Sequence, residues 1–236
     1  MLRCYLFLLL SLAITLAGCD RYPQDPDESL EHIIARGTLR VGALPAEPWV
    51  VKSSSGELAG VEGELIRQFA DELGVSIQTH WLGEDDLFQM LANHDLDVVM
   101  GGMTRGNPWS AHAGFTLPYY TNDQTVGVPP GSPAVLELEG ITVGILRDSP
   151  LSTALEKRGA MVKRVNDYAQ ASLPVAGPAW QLKHHGLRPT TIQLLSREHV
   201  MAVPRGENAL LMRLERFLLA RAPFQIEDLL AEEAAL

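Results

Sequence analysis

The sequence predicts an α/β fold built on parallel or mixed sheets, and three observations carry that expectation. From residue 38 to residue 102, strand-like apolar runs alternate with amphipathic helical ones, the β-α-β-α-β order that lays helices over a parallel sheet. The same order resumes at GITVGIL (140–146) after TNDQTVGVPPG (121–131), which reads as a hinge. The composition is globular, with 46% hydrophobic and 20% charged residues among 236, enough for one large domain or two lobes of roughly 100 residues each. A net charge of -10, from 19 Lys and Arg against 29 Asp and Glu, lacks the basic density of a phosphate-tracking surface, so nucleic acid is not expected as a partner.

Each element follows from local pattern. Residues 1–3 carry one basic side chain and residues 5–18 (YLFLLLSLAITLAG) are apolar, spanning about 21 Å as a helix, short of the roughly 30 Å a transmembrane segment needs. Residues 1–18 therefore read as a signal peptide. The stretch from Cys19 to Glu28 is proline-bearing and acidic, a tether that cannot bury apolar area. Ser29 is placed to cap SLEHIIAR, Gly37 ends that helix, and TLRVGAL is a strand opening into the loop Pro45–Trp49. Leu65, Ile66, Phe69 and Leu73 define the helix 62–73, and VSIQTHWL is the next strand. Asp85 and Asp86 start a further helix, followed by the buried-strand pattern LDVVMGG. Beyond the hinge, 151–159 is a helix, MVKRV a strand, and 169–189 holds at best a short helix; 208–221 is amphipathic. Ligand sites in such sheets form at the carboxyl ends of the strands, here the loops 45–51 and 101–106.

The ordered series RGTLRVG, Pro48-Trp49, GELAGVEGELIRQFADELGV, LDVVMGGMT and FTLPYY, with LEGITVGILRDS further on, resembles the extracellular solute-binding proteins of family 3, the periplasmic receptors that deliver polar amino acids to ABC transporters. The resemblance covers residues 30–168 well and 169–220 poorly. It implies a bilobal periplasmic-binding-protein-like fold, two α/β lobes joined by a hinge that close on a ligand. On that basis residues 29–124 form the first lobe, 125–205 a second, reduced lobe, and 206–236 C-terminal helices returning to the first. Leu16, Ala17, Gly18 and Cys19 resemble a bacterial lipobox, which implies lipidation of Cys19, and Asp20 resembles an inner-membrane retention signal. The implied location is the periplasm, anchored to the inner membrane by lipid on Cys19.

Carried over position by position, the resemblance makes Trp49 the first-lobe ring, Thr104 the threonine of the turn after the buried strand, Ser149 the second-lobe hydroxyl at a helix start, Glu62 the acid before the first long helix, and Tyr119 and Tyr120 the paired aromatics before the hinge. Each has an alternative: Trp49 as lobe-edge packing, Thr104 as a local turn bond, Ser149 as a simple cap, Glu62 as helix-start electrostatics. Two departures stand out. The family's carboxylate-clamping arginine falls on Trp109, which either faces the cleft or packs on a helix, and the second-lobe aspartate expected after Tyr168 is not found. Arg105, Arg147 and Asp148 are nearby charged candidates. Replacing Trp49 by Ala is expected to weaken binding with little loss of fold.

No metal, cofactor or catalytic constellation is expected. Both cysteines, Cys4 and Cys19, lie before the folded body, and His184 and His185 have no ligands at metal spacing. Neither a phosphate loop nor a serine elbow is present. The leading expectation is a monomeric solute-binding lipoprotein taking an amino-acid-like, aromatic or cationic solute, with an ABC permease as partner. The alternatives are a regulatory lipoprotein acting through a protein partner, a dehydratase-like enzyme on this scaffold, and a relative of the sensor lobe of lytic transglycosylases.

Overall fold

A computed structural model describes residues 25–168, 172–221 and 223–234; the signal segment, Cys19 and Asp20 lie outside the described residues. Two five-stranded mixed sheets, each flanked by helices, form two lobes. In the first, β1 (Thr38–Ala43) runs parallel between β4 (Ser76–Trp81) and β5 (Val98–Met100), and the sheet continues through β12 (Ala202–Pro204) to β6 (Ala113–Phe115). A short hairpin, β2 (Val51–Lys52) and β3 (Leu58–Ala59), leads into helix α2 (Gly60–Leu73). Leu65, Ile66 and Phe69 on α2 are buried, each contributing about 2 kcal/mol of transfer free energy. Helix α3 (Glu84–Ala92) carries Glu84, Asp85 and Asp86 in its first turn, as the dipole favours.

The second sheet has the order β11, β7, β10, β8, β9. Strand β7 (Tyr120–Val128) leaves the first lobe and β11 (Arg188–His199) returns to it, the two pairing antiparallel as twin crossovers. Strands β8 (Thr142–Leu146), β9 (Met161–Val165) and β10 (Val175–Pro178) are mutually parallel, with short helix α4 (Ser152–Glu156) between β8 and β9 and α5 (Ala179–His184) after β10. Within the span 125–205 assigned from sequence to the second lobe, β12 lies in the first sheet, because its partners β5 and β6 are there. Helices α6 (Asn208–Leu219) and α7 (Pro223–Glu233) bury Leu210, Leu214, Phe217, Ile226 and Leu230 in the cluster that holds Leu39 and Val41 of β1. Trp180 of α5 joins that cluster, and Lys183 of α5 pairs with Glu227 of α7 at 3.0 Å, so α7 touches both lobes.

Helix α1 (Ser29–Arg36) shows how a cap can come from far along the chain. Ser29 is its first helical residue, and the cap is the buried Glu207 carboxylate, which accepts from the N–H of Asp27 (3.2 Å) and of Ser29 (3.1 Å). Glu207→Ala orphans both donors and is expected to cost about 2 kcal/mol, read as a lowered midpoint in urea; an unchanged midpoint would show that solvent takes over the cap.

Candidate functional site: the cleft between the lobes

The loop that follows β1 tightens on itself, with the Trp49 N–H donating to Ala46 O (2.8 Å), and this turns the Trp49 ring inward. The ring stacks on His199 at 3.7 Å between centroids and 26° between planes, and meets Tyr120 at 5.8 Å and Tyr119 at 6.4 Å. It is 7% exposed. Gly102, at φ +62°, backs onto it so closely that a Cβ there would stand 3.0 Å from the ring.

Glu62 lies behind this aromatic group and is fully buried. Its carboxylate accepts from the N–H groups of Gly101 (3.0 Å) and Gly102 (3.1 Å) and from the Tyr119 hydroxyl (2.6 Å). Burial pushes its pKa from 4.5 up to about 7, against the opposing pull of those three donors. His199 is depressed from 6.5 to about 4, first by burial and then by Arg197, with the Gly102 backbone weakly opposing. Neither ring nitrogen makes a well-formed hydrogen bond among the described residues.

In front of Trp49 a cleft of about 730 Å³ opens between the lobes. The first lobe lines it with Glu47, Pro48 and Trp49, and crossover β7 with the buried Asn122. Pro178, Trp180 and Gln181 come from β10 and α5, and Glu233 from α7. The Glu233 carboxylate is held by the Gly60 N–H at 3.2 Å.

The residues proposed from sequence are scattered by the fold. Trp49 lines the cleft, while Tyr120 and Glu62 are packed behind it. Thr104 forms an isolated bridge with His199 and lines a separate cavity of about 190 Å³ with Arg105 and Asn107. Trp109 stacks on Phe88 of α3 at 4.7 Å with planes 3° apart, against the first lobe's outer core. The Ser149 hydroxyl accepts from the Leu151 N–H at 3.4 Å and is not among the residues lining the cleft. Arg105 pairs with Glu198 (3.3 Å) and Arg147 donates to Asn166 (3.1 Å). Trp180, Asn122, Glu47 and Glu233 were not read from sequence. Only the Pro-Ala-Trp step at 178–180, a strand end followed by a large aromatic, could have pointed to one of them.

Among the described residues, Asp27, His94 and Glu207 bring possible metal-ligand atoms within 4.8 Å of one another. Both Glu207 oxygens are already engaged by the backbone at the start of α1, and the Asp27 side chain is 64% exposed, so capping accounts for the group. No helix among the described residues is long and apolar enough to cross a membrane.

The sequence profile of the bacterial extracellular solute-binding proteins, family 3, matches residues 39–222, which takes in both sheets and the cleft lining from Glu47 to Gln181. The chain belongs to this family. Membrane-bound lytic murein transglycosylase F of Vibrio vulnificus (strain YJ016) is 34% identical over 105 residues, 44% of this chain and 19% of that protein. The protein of the same name from Pseudoalteromonas translucida (strain TAC 125) is 28% identical over 160 residues, 66% of this chain and 33% of that protein. The chain thus spans between a fifth and a third of the length of these curated relatives. Among solved structures, an ancestral cationic amino acid solute-binding protein, AncCDT-1, superposes with a TM-score of 0.64 at 21% identity, over 87% of this chain and 98% of its own. The unliganded, open L-cystine solute receptor of Neisseria gonorrhoeae gives 0.64 at 17%, over 81% and 90%. At these identities the likeness is one of fold: this family 3 member has a bilobal periplasmic-binding-protein architecture.

Proposed function

We propose that this family 3 protein captures a small organic solute in the cleft between its lobes and delivers it to an ABC permease from a periplasmic position, tethered by lipid on Cys19. The observation that carries the reading is the cleft itself, roomy enough for a small molecule, lined from both lobes and bridged by twin crossovers at which hinge closure exchanges water for ligand. Of the residues expected from sequence, Trp49 stands at the cleft wall; Trp180, Gln181 and Asn122 complete the wall. A saturating ligand at about 100 times its Kd raises the stability of the purified chain by about 2.7 kcal/mol, a midpoint gain of roughly 5–10 °C. The same ligand should change tryptophan fluorescence, because Trp49 and Trp180 border the cleft. A broad metabolite screen with neither effect would end the capture reading.

A second reading has one observation in its favour: the transglycosylase relatives carry a segment similar to this chain within a much longer protein. On that reading the protein senses a solute and acts through a protein partner. Co-purification of a permease and its ATPase with the lipidated chain supports delivery; recovery of a cell-wall enzyme instead supports sensing. The dehydratase alternative gains nothing from Glu62, the carboxyl it would use first, since that group is sealed behind Trp49 and Tyr119.

A further inference from the structure

Resting on the capture reading, we infer that the cleft selects an organic cation carrying no carboxylate, an amine or guanidine of the polyamine type, rather than a free amino acid. Glu47 and Glu233 line the cleft together with the rings of Trp49 and Trp180, and no Lys, Arg or His is among the described residues that line it. The arginines and sheet-edge N–H groups best suited to hold a ligand carboxylate are engaged elsewhere. The Gly101 and Gly102 N–H groups at the carboxyl edge of the first sheet donate to Glu62, and the Arg105 N–H donates to Glu198 O (2.8 Å). The Arg105 guanidinium is paired with Glu198 at the surface, and Trp109, where the clamping arginine was expected, lies against Phe88. In the second lobe Arg164 donates to the carbonyls of Leu146 and Arg147, and Arg147 to Asn166.

The consequence is an asymmetry between the two ends of a zwitterion. An ammonium or guanidinium entering the cleft meets the carboxylates of Glu47 and Glu233, which offset its lost hydration. A carboxylate entering with it is desolvated beside Glu47 and Glu233 without a counter-charge, and like charges at close range oppose it further. Two features tend the other way, and neither carries a full positive charge: the Trp180 indole N–H, buried at the cleft without a hydrogen-bond partner among the described residues, and the first turn of α5, a helix of only six residues, too short to supply a substantial anion-binding dipole.

Matched probes that differ only by the α-carboxylate test this in the full chain held in detergent. Isothermal titration and thermal shift compare agmatine with L-arginine and cadaverine with L-lysine. The decarboxylated member of each pair is expected to bind at least tenfold more tightly. Glu47→Gln, an exposed change outside the core, is expected to weaken agmatine about five- to tenfold while leaving the ligand-free midpoint unchanged. Arginine or lysine binding as tightly as its amine, or Glu47→Gln leaving agmatine affinity intact, overturns the cation inference and leaves capture standing. Failure of amines, amino acids and aromatic acids alike to bind, with tryptophan fluorescence unmoved, overturns both.

Discussion

Trp49→Ala is expected to lower the stability of the folded chain by about 4 kcal/mol, the range for emptying a buried large aromatic site. This corrects the expectation from sequence that the exchange spares the fold. The ring is 7% exposed and supports His199, Tyr119 and Tyr120, so its removal leaves a cavity at the junction of the loop after β1, the start of β7 and the end of β11. Thermal unfolding should show a fall of about 10 °C for a chain of this size. Trp49→Phe keeps a ring against His199 and should cost less than half as much. If the Ala variant melted within about 2 °C of the parent, Trp49 would not be part of the core, and the site geometry drawn from it would fail with it.

The second large effect concerns Glu62 and His199, buried groups whose protonation pulls stability in opposite directions. Glu62 holds a proton in the folded chain that the unfolded chain has released, so its contribution falls as pH rises from about 4.5 to about 7 and is level above. His199 is depressed to about 4, so its contribution is complete above pH 6.5 and is lost as pH falls from there towards 4. Each excursion is worth about 3 kcal/mol, and the two largely cancel between pH 5 and pH 6.5. Glu62→Gln keeps acceptor and bulk but does not titrate, and is expected to turn a nearly flat profile into one that loses about 3 kcal/mol on acidification from pH 6.5 to pH 4. His199→Phe should do the reverse, losing a similar amount from pH 4.5 to pH 7. Glu62→Ala leaves the Gly101, Gly102 and Tyr119 donors unpaired in the interior and is expected to cost at least about 3 kcal/mol at any pH. Urea titrations of the variants across pH 4–8 decide the matter; parallel profiles for parent and Glu62→Gln would remove Glu62 from the pH response.

Much of the first lobe was legible because its signals are local. Leu65, Ile66 and Phe69 recur at helical spacing and are buried on α2, and the run LDVVMGG yields β5 with Val98, Val99 and Met100 buried. The return crossover was not legible. Strand β11 carries the polar sequence RPTTIQLLSREH at the sheet edge with only Ile192 and His199 buried, so it shows no alternation, and its pairing with β7 is interrupted by two irregularities. Strand β10 hid in the same way: VAGP is a four-residue run ended by a proline, and it takes its place between β7 and β8 only through their partner edges.

By itself the sequence determined the alternation that builds two α/β lobes, the absence of cysteine from the folded body, and the missing arginine at position 109. These are properties of neighbouring residues or of residue identity, and they survive without knowledge of where distant segments meet. Only the tertiary structure decided which of two plausible tryptophans stands at the cleft, Trp49 against Trp109, and that Glu62 is a buried brace rather than a cleft acid. Burial and partnership at Glu62 come from Gly101, Gly102 and Tyr119, up to 57 positions away, and the cleft wall joins residues from Glu47 to Glu233. Such convergence depends on how the crossovers close the chain, a long-range condition that no local periodicity encodes.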